Sequence, residues 1–155
     1  MTLNIAFQMD PLEGLNIAGD STFALMLAAQ ARGYRSFQYA ASALNYADGR
    51  VWAKAYPVDM VQRVAGNHFK LGDPVALDLG KDVDVVMMRQ DPPFDLGYIT
   101  ATHLLERIQI LQRNHAVVRV GVEDRRVDGG DGVGLTRRFH FDAVTLRIGY
   151  TLDGF

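Results

Sequence analysis

The segment from Val83 to Asp95 constrains the fold of this chain more than any other part of its sequence. A nearly continuous apolar run from Val83 to Met88 is followed by Arg89 and then by two acids, two prolines and a phenylalanine. An apolar run of strand length without polar alternation is typical of a strand that is buried on both faces, as in a parallel sheet covered by helices. The prolines restrict the backbone that follows. Because ligands of open α/β sheets bind beyond the carboxyl ends of the strands, the segment predicts a ligand crevice near Arg89 and Asp91.

Composition limits the class of protein and the partners that it can have. The 155 residues are 48% hydrophobic with a net charge of -2, which favours one globular domain, with or without an appendage. This charge gives no electrostatic reason to expect a nucleic acid or an anionic membrane as partner. The absence of cysteine excludes disulfides and thiolate zinc sites. The first residues lack the basic region of a secretory signal, and no apolar run approaches the roughly 18–20 residues of a membrane helix, so we expect a cytoplasmic protein.

The order of predicted elements along the chain indicates an α/β fold. Strands are predicted for residues 3–9, 34–40 and 83–88, and helices from Asp20 or Ser21 to Gly33 and from Gly97 to Arg113. The Asp48-Gly49 pair predicts a hairpin turn, and residues 56–82 are predicted to be irregular and extended. This order predicts a small parallel sheet flanked by helices.

Two of the predicted strands end in similar sequences. Met9-Asp10-Pro11 follows the first strand, and Arg89-Gln90-Asp91-Pro92 follows the strand that ends at Met88. If these strands are neighbours in a parallel sheet, the two exits converge on one crevice. Arg89 then has two interpretations, which the sequence leaves open: an ion pair with Asp91 or Asp95 that is purely structural, or a guanidinium that binds a substrate carboxylate.

Other motifs give weaker signals. The spacing of Gly14, Gly19, Asp20 and Ser21 approaches that of a phosphate-binding loop, but an acid stands where such a loop has lysine, so a capped helix start is the preferred interpretation. The four histidines show no metal-binding spacing, and no Gly-x-Ser-x-Gly motif marks a nucleophile. We therefore assign no catalytic residue and no metal ligand.

The chain changes in composition near residue 110. All three lysines precede this point, whereas seven of the thirteen arginines and seven of the fifteen glycines follow it. Val118, Val120 and Val122 alternate as in an edge strand, and residues 127–134 are predicted to form a turn. We therefore divide the chain into residues 1–109 and an irregular carboxy-terminal tail, residues 110–155.

Two groups of residues occur in an order and spacing characteristic of a known family. The first group is Met9-Asp10-Pro11, Leu15-Asn16-Ile17, the run from Asp20 to Leu27, Gln30 and Arg32-Gly33-Tyr34. The second is the run from Val85 to Asp95, with Tyr98 to Thr102 and Leu104-Leu105-Glu106. Over residues 3 to 109 the chain resembles the amino-terminal domain of prokaryotic-type glutathione synthetase.

The resemblance implies both a fold and a function. The family is an ATP-grasp ligase that joins γ-glutamylcysteine to glycine through an acyl phosphate, using ATP and magnesium. Its amino-terminal domain is a small Rossmann-like, pre-ATP-grasp sheet that forms one wall of the substrate cleft, while nucleotide and metals belong to later domains. The resemblance therefore implies no cofactor in this chain and a γ-glutamylcysteine-like or glutathione-like ligand, with a homo-oligomer as a further possibility.

The resemblance also implies roles for five residues. Arg89 would contact the peptide substrate or the acyl-phosphate region, and Asp91 would shape the wall next to it. Asp10, Asp20 and Ser21 would line or brace the other strand exit.

The tail departs from this resemblance and leaves alternatives open. Its lysine-free composition, rich in arginine, glycine and valine, favours a frameshifted or truncated gene product, and a genuine ending with a small β-element is the alternative. We expect a chain without the ATP-grasp region to be inactive alone. Whether this chain is an enzyme is therefore left open. The alternative function is a stand-alone α/β binding module for a small carboxylate or peptide.

Overall fold

The computed structural model describes residues 2–90, 95–111, 116–127 and 134–143, and side chains through Ile108. Two helices are present in these ranges, α1 (Ser21–Ala31) and α2 (Leu96–Leu111). The strands are β1 (Asn4–Gln8), β2 (Arg35–Tyr39), β3 (Leu44–Ala47), β4 (Arg50–Val61), β5 (Phe69–Leu71), β6 (Val75–Asp78), β7 (Val85–Met88), β8 (Ala116–Val127) and β9 (Gly134–Ala143). Short 3-10 turns cover Leu12–Gly14 and Ala41–Ala43.

The strands form a curled, mixed sheet in the order β3-β4-β2-β1-β7-β8-β9, and β5 and β6 also pair with β4. The neighbours β2, β1, β7 and β8 are parallel, as predicted for the centre of the sheet. The α/β fold class is confirmed, but the sheet is mixed rather than purely parallel, because β4 runs antiparallel to β2, β3, β5 and β6. The described helices are not long and apolar enough to cross a membrane.

Strand β7 lies between two apolar layers, which confirms the prediction from its sequence. Val86 and Met88 are buried in a cluster with Leu105 of α2. Val85 and Met87 pack on the opposite face, against a cluster that contains Phe23 of α1. The uninterrupted Val/Met run therefore reflects a strand with a helix on each face, since neither face has to be polar.

Helix α1 begins and ends at the residues that the sequence indicates. Asp20 is its N-cap, and the Asp20 carboxylate accepts a hydrogen bond from the Phe23 N–H at 2.7 Å. This bond satisfies one of the backbone donors that the first turn of a helix leaves without a partner. The helix is followed by Gly33 with φ of 71°, a left-handed conformation that glycine adopts without steric penalty.

The β3–β4 hairpin forms at the predicted Asp-Gly turn. Asp48 and Gly49 have φ of 52° and 76°, and Ala47 pairs with Arg50 across them. Positive φ at both turn residues matches the twist of the flanking strands, which is why Asp-Gly is favoured here.

The prediction for residues 56–82 is confirmed in its extended backbone and wrong in its irregularity, because regular paired strands lie there. Strand β4 continues to Val61, and β5 and β6 pair with different parts of it. These two strands are only three and four residues long, so they contain too few residues to show a period of two.

The region after residue 110 adds two strands to the sheet. β8 pairs in parallel with β7 and antiparallel with β9, so β8 is an inner strand and not the edge strand expected from its alternating valines. Residues 128–133, within the predicted turn, and residues 144–155 lie outside the described residues. The division of the chain at residue 109 stays a prediction.

Candidate functional site

The carboxyl ends of β1 and β7 are neighbours at one edge of the sheet. β1 and β7 pair in parallel, with Gln8 opposite Met88. Beyond the last paired residues, the Arg89 N–H donates to the Gln8 carbonyl at 2.7 Å. β1 and β7 are therefore neighbours, as the prediction required, and the chain leaves both strands side by side at their carboxyl ends, where ligands of α/β sheets bind.

Arg89 is held by the first turn of α1. Its Nη2 donates to the Ser21 hydroxyl at 2.6 Å, and its Nε donates to the Thr22 hydroxyl at 3.0 Å. Thr22 is buried, and Arg89 and Ser21 are half-buried. Two directed hydrogen bonds on different nitrogens fix the plane of the guanidinium, so little side-chain freedom is left to lose when a ligand binds.

The other predicted site residues differ in what they do. Asp20 lies next to this pair but uses its carboxylate to cap α1, which confirms the preferred interpretation of the Gly14–Ser21 motif as a helix start. Asp10 is exposed directly after β1, at the predicted exit. Asp91 lies outside the described residues. Among the predicted set, the structure therefore joins Arg89 directly to Ser21.

Thr22 is the contact that sequence reasoning missed. Asp-Ser-Thr at a helix start was interpreted as a cap, and capping needs only Asp20. The signal that was available is the second hydroxyl in succession, because adjacent residues at a helix start point in different directions and can contact one planar group from two sides.

The opposite face of the same edge carries an open cleft beside α2. Its volume is about 500 Å³, and its described lining includes Ser42, Leu44, Gln90, Asp95 and Thr100. Asp95 caps α2, since its carboxylate accepts from the Tyr98 N–H at 2.9 Å. The cleft therefore lies at the first turn of α2, whereas Arg89 and its two hydroxyl partners lie at the first turn of α1.

Buried polar groups lie on this α2 face of the sheet. Gln8 is fully buried, and its Nε2 is 3.4 Å from Oε1 of Gln90, which lines the cleft. Tyr39 is opposite Gln8 in the parallel register. Within the described ranges, the Gln8 Oε1 and the Tyr39 hydroxyl have no hydrogen-bond partner. Burial raises the pKa of the Tyr39 hydroxyl far above its usual 10.0, because the phenolate would be desolvated.

Metal ligands are not grouped in the part of the chain that the structure describes. No three histidine, aspartate or glutamate side chains come together there as a metal site would require. Asp20 and Asp95, the carboxylates nearest the two helix starts, each accept a backbone N–H of their own helix. The described residues at this edge therefore do not group the carboxylate oxygens that a magnesium–nucleotide site needs, and Asp20 and Asp95 each have an oxygen bonded to a helix N–H.

Comparison with known proteins gives a consistent family. The family model described as "Prokaryotic glutathione synthetase, N-terminal domain" matches residues 3–123, which extends past residue 109. The chain is 52% identical over 105 residues to a glutathione synthetase of Agrobacterium fabrum, covering 68% of this chain and 32% of that protein. It is 51% identical over 108 residues to that of Brucella melitensis (70% and 34%), and 48% identical over 122 residues to that of Rhodopseudomonas palustris (77% and 38%). The chain thus spans about a third of the length of these relatives.

Proposed function

We propose, from the premise that this chain belongs to the prokaryotic glutathione synthetase amino-terminal domain family, that it forms a wall of the γ-glutamylcysteine site in such a synthetase. The reaction implied by the family is the ATP-dependent ligation of γ-glutamylcysteine and glycine. ATP and magnesium are assigned to an ATP-grasp region, as the family implies. The cytoplasm stays the predicted location.

The observation that carries this proposal is the attachment of Arg89 to Ser21 and Thr22. Hydroxyl oxygens accept the hydrogen bonds without bringing a negative charge of their own, so these two contacts orient the guanidinium. A planar guanidinium in a fixed plane is suited to a carboxylate or an acyl phosphate, since both offer two oxygens at matching spacing. γ-Glutamylcysteine carries carboxylates, and its activated form is an acyl phosphate.

The alternative function is a stand-alone module that binds a small carboxylate or peptide. The hydrogen bonds of Arg89 to Ser21 and Thr22 support this alternative equally, because both hydroxyls belong to α1 of this chain. The two functions differ in whether the domain supports ligation when an ATP-grasp region is present.

A domain exchange tests the proposal. Residues 1–109 of this chain would replace the matching segment of the Agrobacterium fabrum glutathione synthetase, with which it is 52% identical. Ligation by the chimera is expected. Arg89→Ala should lower its kcat/KM for γ-glutamylcysteine by about ten- to a hundredfold, the effect of losing a charge-assisted hydrogen bond of about 1.5–3 kcal/mol.

Two measurements separate a role in binding from a role in folding. Arg32→Ala is the matched control, because Arg32 is exposed and donates to the Ala28 carbonyl at the far end of α1. Its kinetics and melting temperature should be unchanged. If Arg89→Ala lowers the melting temperature of the chimera but leaves kcat/KM intact, Arg89 is structural and the proposal is wrong. A folded chimera that ligates nothing would favour the stand-alone module.

A further inference from the structure

The loop from β1 to α1 is held by side chains from a distant hairpin. The tip of the β4–β5 hairpin, residues 62–68, contributes Arg63 and His68. Arg63 Nη1 donates to the Ile17 carbonyl and, at 3.3 Å, to the Ala18 carbonyl. The His68 Nε2 lies 2.8 Å from the Leu12 carbonyl. One hairpin therefore contacts three backbone carbonyls of the loop, of which that of Leu12 also accepts from the Leu15 N–H.

The same hairpin also touches the first turn of α1. The His68 ring packs edge-on to Phe23, with 6.0 Å between ring centroids, and to Phe69 at 4.9 Å. Phe23 is also the residue whose N–H donates to the capping carboxylate of Asp20. His68 thus links the loop and the start of the helix to one hairpin.

The hairpin tip is itself internally fixed. The Gln62 N–H donates to the His68 carbonyl at 2.9 Å, and the Gln62 side chain donates to the Asn67 carbonyl at 2.8 Å. At its base, Gln30 of α1 pairs with both backbone groups of Val61, at 2.7 and 3.0 Å. The hairpin is therefore anchored to the later turns of α1 as well as to the loop that precedes the helix.

We infer that the hairpin tip is a positioning element for the Arg89 site, with Arg63 as its main positioning residue. The loop that Arg63 holds leads directly to Asp20, Ser21 and Thr22, so its position sets where the two hydroxyls meet the guanidinium. Arg63 acts through the loop, whose Ile17 and Ala18 carbonyls it contacts. This inference rests on the proposed function only in treating Arg89 as the substrate contact.

The test is the exchange of the Arg89 Nε–H with water, measured by NMR on the ¹⁵N-labelled 155-residue protein without ligand. Its signal is assigned by its loss in Arg89→Lys. Because the Nε–H is bonded to Thr22, its exchange reports how often that contact opens. Arg63→Ala should raise the exchange rate about three- to tenfold, the effect expected from one hydrogen bond, and Arg63→Lys should restore part of it.

Two controls make the outcome decisive. Arg32→Ala removes an exposed arginine that also donates to a backbone carbonyl, and it should leave the Arg89 signal unchanged. The Val86 amide in β7 reports general opening of the sheet, and it should not change in Arg63→Ala. Equal Arg89 exchange in Arg63→Ala and Arg32→Ala, or a rise at Val86 by the same factor as at Arg89, would overturn the inference. The readout needs no substrate, so it is independent of whether the proposed function holds.

Discussion

The two helix starts at the carboxyl edge of the sheet are built alike and present different surfaces. Each follows a central parallel strand, and each is capped by an aspartate, Asp20 at 2.7 Å and Asp95 at 2.9 Å. On the α1 side, the first turn supplies hydroxyls to Arg89. On the α2 side, the first turn exposes Leu96 (78%) and Ile99 (47%) beside an open cleft.

At the carboxyl edge of the sheet, the polar groups of the two sides also differ. Arg89 is oriented by hydrogen bonds on the α1 side, whereas the described surroundings of Gln8 Oε1 and the Tyr39 hydroxyl, on the α2 side, offer them no acceptor or donor. A buried polar group without a partner destabilises the fold by about 1–3 kcal/mol. The same local rule, a capped helix after a buried strand, therefore produces an organised polar site on one face and an unsatisfied one on the other.

The largest effects are expected from the cores beneath the two helices. Phe23 of α1 and Leu105 of α2 are both fully buried. Phe23→Ala should lower the free energy of unfolding by about 3–5 kcal/mol and Leu105→Ala by about 2–5 kcal/mol, through lost burial and residual cavities. Urea unfolding of both variants measures this. A loss below about 1 kcal/mol for Leu105→Ala would show that α2 is peripheral and that the two sides are not equivalent supports of the sheet.

A smaller effect is expected from Tyr39 at high pH. Its pKa is raised in the folded chain by burial, so the folded protein keeps a proton that the unfolded chain loses above pH 10. The unfolded state then binds fewer protons, and stability should fall as the pH rises, by about 1.4 kcal/mol per pH unit from this group. Below pH 10 the group is protonated in both states and contributes no slope.

The matched variant Tyr39→Phe isolates this contribution. It removes a hydroxyl that has no partner among the described residues, so it should be neutral or stabilising at pH 7. Its stability should decline less steeply than that of the original chain between pH 10 and 11. Identical slopes in the two proteins would show that Tyr39 ionises normally and is not confined as the structure describes.

The smallest effects are expected from the caps, and they should separate the two sides. Asp20→Ala and Asp95→Ala should each lower the free energy of unfolding by about 0.5–2 kcal/mol, because each removes one capping hydrogen bond. Asp20→Ala should also shift the Arg89 Nε–H signal, since α1 supplies the Ser21 and Thr22 hydroxyls that contact that guanidinium, whereas Asp95→Ala should not. An equal shift in Asp95→Ala would remove the distinction between the two sides.

Local chemistry explains which features were predictable from the sequence. The Val83–Met88 strand, the Asp20 cap and the Asp48-Gly49 turn each depend on a few adjacent residues, and each is present where it was predicted. Strands β5 and β6 were missed because their pairing depends on residues of β4 that lie 8 to 26 residues away in sequence. The hydrophobic period of a short segment does not identify a distant strand with which it pairs.

Of the three residues that meet at Arg89, only Arg89 and Ser21 were predictable from the sequence. Arg89 was identified because a charged residue ended a buried strand, and Ser21 because it began a helix. That their side chains meet depends on β1 and β7 being neighbours, and on a separation of 68 residues that no local motif specifies. The contacts of Thr22 and of the β4–β5 hairpin tip likewise depend on tertiary structure and not on a local motif.

A titration of γ-glutamylcysteine into the ¹⁵N-labelled chain tests most directly that the α1 side is the ligand-binding side. The Arg89 Nε–H and the Thr22 amide report on that side, and the side-chain amides of Gln8 and Gln90 report on the cleft beside α2. The account predicts saturable shifts of the Arg89 and Thr22 signals that are lost in Arg89→Ala and kept in Arg32→Ala. Saturable shifts confined to Gln8, Gln90 and the first turn of α2 would contradict it and move the site to the opposite face.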